Sequence, residues 1–181
     1  MIIELDLRKP KILQYLNISS KNGLSNYLIS DIGIEEIIIP SGINENLFIV
    51  GSGVIPPNPT ELLLSPRLAD FIASVKKQFD YIIIDSPPIG LVTDGQIISK
   101  YANATLYIIR QKYTLRNQLN IIQDIYDNRK INNLYILVND VKGKKGYGYG
   151  YSYGNPYGNG SDYFEKPGKN KKNRLTKLFN K

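Results

Sequence analysis

The sequence predicts an α/β domain built on a mostly parallel sheet with helices on both faces, followed by a tail that does not fold. Three observations lead there. Short apolar runs that end in acids alternate with stretches of helical spacing, the pattern of βαβ units. The clearest run, DYIIID at 80–85, is apolar without alternation, as strands buried on both faces are. The pattern stops after Val141, and from Gly146 glycine recurs at almost every second position, where no apolar face can form. The boundary therefore falls between a folded unit over 1–141 and a disordered tail over 142–181.

Each element follows from local signals. Met1–Asp6 reads as a buried strand, and 22–30 holds a short amphipathic segment. Glu36–Ile39 and Leu47–Val50 are apolar runs bounded by Pro40, Gly42 and Gly51, so both are expected as strands. After the breaker cluster GSGVIPPNP, Asn58-Pro59-Thr60-Glu61 places a capping residue, a first-turn proline and an acid at N3; Ser65-Pro66 repeats the start. Leu68, Phe71, Ile72 and Val75 then fall at helical spacing up to about Gln78. Asp80–Asp85 is a strand, 93–101 a helix and 104–110 a strand. Thr114 is expected to cap a longer helix reaching Arg129, and Leu134–Asn139 is the last strand.

Composition narrows the chemistry. The 181 residues contain neither cysteine nor histidine, which removes thiol chemistry, disulfides and imidazole bases. Carboxylates, Lys, Arg, Tyr, backbone amides or a bound metal must do any work. The start, MIIELDLRKP, does not read as a secretory signal, and no run approaches a membrane span, so a cytoplasmic, soluble chain is expected. The net charge of +7 is uneven: from Lys142 onward ten Lys/Arg face two acids, while residues 1–141 hold thirteen basic and fourteen acidic residues. A basic tail suits an anionic partner or a solvated terminus.

In parallel sheets ligands bind beyond the carboxyl ends of the strands. The first strand ends in Glu4, Asp6 and Arg8; DYIIID ends in Asp85; the last ends in Asn139 and Asp140. Acids from neighbouring strand ends would suit Mg²⁺ with substrate phosphates, whereas a single such acid commonly is solvated or caps the next helix.

Taken in order, IIELDLRKP, IPPNPTELL, DYIIIDSPPIGLVTDGQII and YIIRQKYT, followed by a Tyr/Gly tail, resemble the cytoplasmic kinase domain of bacterial tyrosine kinases of the capsule and exopolysaccharide machinery. The resemblance covers nearly the whole chain and implies a P-loop NTPase-like fold. IIELDLRKP looks like that family's second acidic motif, D-x-D-x-R, and IIIDSPP like its Walker B strand. The tail tyrosines, Tyr147, Tyr149, Tyr151, Tyr153, Tyr157 and Tyr163, look like its phosphoacceptor cluster. By that resemblance ATP and Mg²⁺ are the cofactors. Asp85 and Asp6 would hold the metal, Asp6 or Glu4 would orient or deprotonate the attacking tyrosine, and Arg8 would meet a phosphate or Asp85. Asn139 and Asp140 would lie near the adenine. A plain structural ion pair is the alternative for Arg8.

Two departures stand out. Glu4 replaces the usual Asp, one methylene longer, and G-x-x-x-x-G-K-[ST] occurs nowhere in the sequence; Gly143-Lys144 and Gly168-Lys169 lack both spacing and hydroxyl. The family's P-loop lies just upstream of the second acidic motif, so the chain reads as the C-terminal part of a kinase domain. Its P-loop strand would be missing from inside the sheet, between the strands 80–85 and 104–110, leaving two unpaired edges or forcing the neighbours together. Such a chain is expected to be inactive or nearly so alone.

The resemblance further implies a membrane-anchored polysaccharide co-polymerase portion, neighbouring kinase subunits in a ring with phosphorylation in trans, a cognate phosphatase, and a place at the inner face of the plasma membrane; no nucleic acid is expected. Three other readings compete. One is a partition or septum-site ATPase, and another a non-catalytic scaffold that offers its tyrosines as substrate. The third is a tail that stacks on nucleic-acid bases.

Overall fold

The computed structural model describes residues 1–89, 93–131 and 133–142; the tyrosine cluster lies outside them. The elements are β1 (Ile2–Glu4), α1 (Ile12–Tyr15), α2 (Leu24–Ile29), β2 (Ile39–Pro40), β3 (Phe48–Val50), α3 (Pro59–Leu63), α4 (Pro66–Val75), β4 (Ile83–Asp85), α5 (Asp94–Ser99), β5 (Thr105–Arg110), α6 (Leu119–Asp127) and β6 (Leu134–Asn139). The strands form two sheets. One has the order β2-β3-β1-β4, parallel except for the β2–β3 pair; the other is the parallel pair β5-β6. The mostly parallel α/β architecture is thus as the sequence predicts, and its interruption falls between β4 and β5.

The core explains the first sheet. Ile3, Leu5 and Leu7 from β1 and its extension, Val50 from β3, and Leu68, Phe71, Ile72 and Val75 from α4 are buried together with Leu24 and Leu28 of α2. The α4 residues are the ones whose helical spacing the sequence shows. Phe71 meets the Tyr27 ring at 5.6 Å in a tilted arrangement, and the Arg67 guanidinium covers the other part of that ring at 4.7 Å. A smaller apolar group, Ile122 and Ile125 of α6 with Ile131, is buried on the second half.

Several boundaries differ from expectation. The run 36–39 is not a strand: Ile34–Glu36 form a 3₁₀ turn and only Ile39–Pro40 pair with β3. Proline has no amide to extend a ladder, which limits this edge strand to two residues. Thr114 does not cap a helix. Its hydroxyl accepts from the Arg110 amide at 2.9 Å, a 3₁₀ turn covers Arg116–Gln118, and α6 begins only at Leu119. Ser65 likewise makes no side-chain cap; its hydroxyl is buried without a protein partner among the described residues. The helix α1 was not legible as such, because its four residues carry too little periodicity.

The loop after β3 is held by close backbone contact with the start of α2. Leu24 and Ser25 donate their amides to Gly51 and Ser52 carbonyls, both at 2.8 Å, which satisfies two of the helix's free N–H groups. A side chain at Gly23 would sit 2.2 Å from the Gly53 amide nitrogen, and Gly53 itself has φ +80°, so both positions need glycine. No described helix is long and apolar enough to cross a membrane.

Candidate functional site

The carboxyl ends of β1 and β4 lie side by side. Glu4 and Asp85 are register partners across the parallel pair, and the Leu5 amide donates to the Asp85 carbonyl at 2.8 Å. Loss of water around its carboxyl, then the charges of Asp6 and Glu4, push Asp85 above the usual carboxylate range. Asp6 and Glu4 thus lie near enough to Asp85 for their charges to act on its carboxyl. No hydrogen bond from a described residue reaches the Asp85 side chain, so nothing in the described protein neutralises it. No cluster of three or more acidic side chains among the described residues is arranged to hold a metal alone.

The three acids are not equivalent. Asp6 accepts the Arg8 and Lys9 amides, at 3.1 and 3.0 Å, on one oxygen, Oδ1. That fixes the turn after β1 and leaves Oδ2 with no hydrogen bond from a described residue. Glu4 is buried and fully engaged. Its Oε1 accepts the Lys11 and Ile12 amides at 2.5 and 2.6 Å, and its Oε2 accepts the Ser52 amide at 3.2 Å. The extra methylene of Glu over Asp gives the reach needed to tie β1 to the first turn of α1 and to the loop after β3. Buried and bonded through both oxygens to main-chain amides, Glu4 is not open to a tyrosine hydroxyl, and the expectation that it serves as base is revised: it holds the backbone that carries Asp6.

Arg8 also departs from expectation. It pairs neither with Asp85 nor with an open phosphate position but with Asp94, Nε to Oδ2 at 2.7 Å and Nη2 to Oδ1 at 3.3 Å, and Nη2 donates to the Thr60 hydroxyl at 2.8 Å. Thr60 in turn donates to Asp94 at 2.8 Å. Asp94 is 1% exposed. Burial alone would raise its carboxyl, but the Arg8 and Thr60 hydrogen bonds and the Arg8 charge reverse this and hold it below the usual range. The same pairing raises Arg8. One guanidinium therefore joins the turn after β1 to α3 and α5. One hint stands in the sequence, an acid in the first turn of α5 within VTDGQ, but such an acid ordinarily reads as a helix-terminus charge.

Asn139 and Asp140 end β6, in the other sheet. The Asp140 amide donates to Asn139 Oδ1 at 2.8 Å, and its carboxylate accepts from Arg110, Nε and Nη2 both at 3.0 Å. With Tyr113, Asp140 lines a small cavity of about 160 Å³ at this strand end.

No protein-family model matches the chain. It is 32% identical over 148 residues to the tyrosine-protein kinase ptk of Acinetobacter johnsonii, covering 81% of this chain and 20% of that protein. It is 38% identical over 109 residues to the tyrosine-protein kinase CpsD of Streptococcus pneumoniae, covering 60% and 48% respectively. The chain therefore spans less than half the length of these relatives. Among solved structures, the chimerical protein CapA2B2 matches with TM-score 0.68 and 28% identity over 78% of this chain and 62% of that one. The kinase domain of the Escherichia coli tyrosine kinase ETK matches in fold, with TM-score 0.72 at 23% identity over 85% of this chain and 60% of that one. The septum site-determining protein MinD of Pyrococcus horikoshii, complexed with Mg-ADP, shares the fold at TM-score 0.56 and 20% identity over 75% of this chain and 54% of that one.

Proposed function

Since the chain is homologous to bacterial tyrosine kinases and shares the fold of their kinase domains, we propose that residues 1–142 carry the acidic half of a site for phosphoryl transfer from ATP to protein tyrosine, in the control of capsular or exopolysaccharide assembly. The observation that carries this reading is the unneutralised meeting of Asp85 with Asp6 and Glu4 at adjacent strand ends. Two carboxylates with free lone pairs, beside a third that is structural, fit Mg²⁺, which takes one or two carboxylates plus water and phosphate oxygens. Asp85 would hold the ion with water and phosphate oxygens, beside Asp6, and the ion when bound offsets the charge on the transferring phosphate.

The chain's own residues then divide the work. Asp6, anchored through Oδ1 and open at Oδ2, orients the tyrosine hydroxyl and takes its proton; that hydroxyl has a reference pKa of about 10, so a nearby carboxylate assists only as transfer proceeds. Glu4 and the Arg8–Asp94–Thr60 cluster hold the Asp6 turn in place from below and from the side. Asn139 and Asp140 lie at a strand end suited to the base of the nucleotide. The acceptors would be Tyr147, Tyr149, Tyr151, Tyr153, Tyr157 and Tyr163, the first of which alternate with glycine in the sequence, and they would be phosphorylated in a neighbouring subunit's site. Each phosphate adds roughly −1.5 to −2 charges. Six add roughly −9 to −12, more than cancelling the net +8 of ten Lys/Arg against two acids from Lys142 onward, and would turn an attraction to acidic surfaces into repulsion.

Residues 1–181 contain no G-x-x-x-x-G-K-[ST], so the amides that cradle the phosphates must come from elsewhere. The purified chain with ATP and Mg²⁺ is expected to give no phosphotyrosine on a blot. Mixed with an active bacterial tyrosine-kinase domain, it becomes phosphorylated, and Phe at the six tail tyrosines removes the signal. Strong autophosphorylation of the isolated chain, or no phosphorylation in the mixture, would overturn the reading. A second reading, a non-catalytic scaffold that only offers tyrosines, is favoured by the same missing motif; the two are separated by adding an inactive fragment that carries the phosphate loop, where autophosphorylation restored with the wild type and lost with Asp6→Asn supports the catalytic reading and no restored activity supports the scaffold.

A further inference from the structure

Beside the acidic strand ends lies a cavity that the phosphoryl-transfer site does not use. It holds about 330 Å³ and is lined by Pro10, Leu13 and Val54, by Lys11 and Lys21, and by Glu4. Its walls are fixed. Leu13 seats α1 on the loop after β3, where Gly51 leaves no room for a side chain beside it. The Ser20 hydroxyl donates to the Asn22 carbonyl at 2.6 Å and holds the turn before α2. Val54 is held through its backbone, since its carbonyl accepts from the Ser25 hydroxyl at 2.6 Å, while its side chain is 64% exposed.

Charge selects what the cavity can take. Glu4 is the one acid on its lining, and both Glu4 oxygens are bonded to amides, those of Lys11, Ile12 and Ser52. The Lys21 ammonium makes no ion pair with a described residue, and the Lys11 ammonium makes a single hydrogen bond, to Gln14 Oε1 at 3.3 Å. Two cations with open donors thus stand beside three apolar side chains, which suits an aromatic ring flanked by carboxylates. The tail holds one such segment. From Gly143 onward there are only two acids, Asp162 and Glu165, and they bracket Tyr163 and Phe164; the other five tyrosines of the cluster have no acid beside them.

We propose that this cavity docks the segment DYFE, residues 162–165, of a second copy of the chain, with Phe164 against Pro10, Leu13 and Val54 and the two acids meeting Lys11 and Lys21, and that docking makes Tyr163 the preferred acceptor. Ion pairs to exposed lysines add little affinity and mainly select the partner, so the buried Phe164 ring supplies most of the binding. The cavity shares a turn with the acidic site: Asp6 Oδ1 accepts the Arg8 and Lys9 amides, and Pro10 and Lys11 follow directly. In an extended peptide successive side chains point to opposite sides, so Phe164 enters the cavity while Tyr163 stays free for the neighbouring carboxylates. The preference for Tyr163 rests on the phosphoryl-transfer reading; the docking rests on the cavity and its charges.

Fluorescence anisotropy with a labelled peptide of residues 159–168 tests the docking. The receptor is the full chain carrying Asp162→Asn, Phe164→Ala and Glu165→Gln, so that its own tail does not compete. The peptide should bind one to one, and a peptide of residues 146–155 should bind at least tenfold more weakly. Lys21→Glu and Val54→Asp, both at exposed positions, should each weaken binding about tenfold and leave the unfolding midpoint unchanged. Equal binding of the two peptides, or unchanged binding in either variant, would overturn the docking site. Phosphorylation gives the second arm. With ATP, Mg²⁺ and an inactive fragment that carries the phosphate loop, mass spectrometry of the wild-type chain should find Tyr163 modified first. Phe164→Ala should slow Tyr163 at least tenfold while the other five tyrosines keep their rates; equal rates at all six in the wild type would overturn the preference. If the peptide binds as expected but no tyrosine is modified, the phosphoryl-transfer reading fails while the docking site stands.

Discussion

The four-stranded half and the two-stranded half are made of similar residues and end in different states. Around β1, apolar side chains are buried on the α4 face, and the two buried carboxylates are held, Glu4 by three amides and Asp94 by Arg8 and Thr60. Around β5 and β6, Leu106, Ile108, Tyr135 and Leu137 remain largely exposed, and only α6 covers the other face. Strand propensity is equal or higher in the second half, where both strands run six residues. What differs is the number of layers, so burial and not propensity sets how firmly each half is held.

The largest effect should come from breaking the better packed half. Phe71→Ala removes a fully buried ring and its contact with Tyr27, and should cost about 3–5 kcal/mol in urea unfolding. Ile125→Ala, in α6 over the two-stranded sheet, should cost about 2 kcal/mol, because the half-exposed surroundings can close over the gap. Equal losses would erase the contrast between the halves.

Glu4→Gln comes next. The amide keeps an acceptor for Lys11 and Ile12 but presents N–H to the Ser52 N–H, donor against donor in a buried site. A loss of about 2 kcal/mol is expected, within the range for an unsatisfied buried group, by the same unfolding measurement. Little change would return Glu4 to the list of free catalytic carboxylates.

How much of this could be read from the sequence follows from which interactions are local. The strand Leu134–Asn139 and the face Leu68, Phe71, Ile72, Val75 repeat at fixed spacing, so the sequence displays them directly. Asp6 and Asp85 were legible because each follows an apolar strand, and strand ends converge in a parallel sheet. The engagement of Glu4 was hidden because its partners are main-chain amides, which every residue has. The Arg8–Asp94 pair was hidden for another reason: it joins positions 86 residues apart, and several acids compete for that arginine in the sequence. The run Glu36–Ile39 was misread as strand, although Glu36 closes a 3₁₀ turn and only Ile39 of the run pairs with β3, because apolar residues of short runs serve turns and strands alike.

Asp94 offers a smaller effect with a definite pH sign. Its carboxyl lies below its ordinary value of 3.8, so the unfolded state binds more protons between the folded value and 3.8. The stabilisation is complete above 3.8 and is lost as pH falls through the folded value. Asp94→Asn should cost about 1–2 kcal/mol at pH 7, through weakened hydrogen bonds to Thr60 and Arg8, and less at pH 3. A loss that is the same at both pH values would mean that the carboxylate charge contributes nothing to joining α3 and α5.

Asp85 has the opposite sign and the smallest effect. Its carboxyl lies above 3.8, so between 3.8 and the folded value the native state holds more protons than the unfolded chain, and stability falls as pH rises through that window. Above it, the charge beside Asp6 and Glu4 is a standing cost. Asp85→Asn should therefore raise the melting temperature at pH 7, by about 1–3 °C, and by nothing below pH 3. Magnesium sharpens the point: it should stabilise the wild type by relieving the same crowding, and should not stabilise the Asn variant. If Asp85→Asn instead lowered the melting temperature at neutral pH, the carboxylate would be a structural partner like Glu4, and the carboxyl end of β4 would belong with the satisfied half of the molecule and not with its unfinished edge.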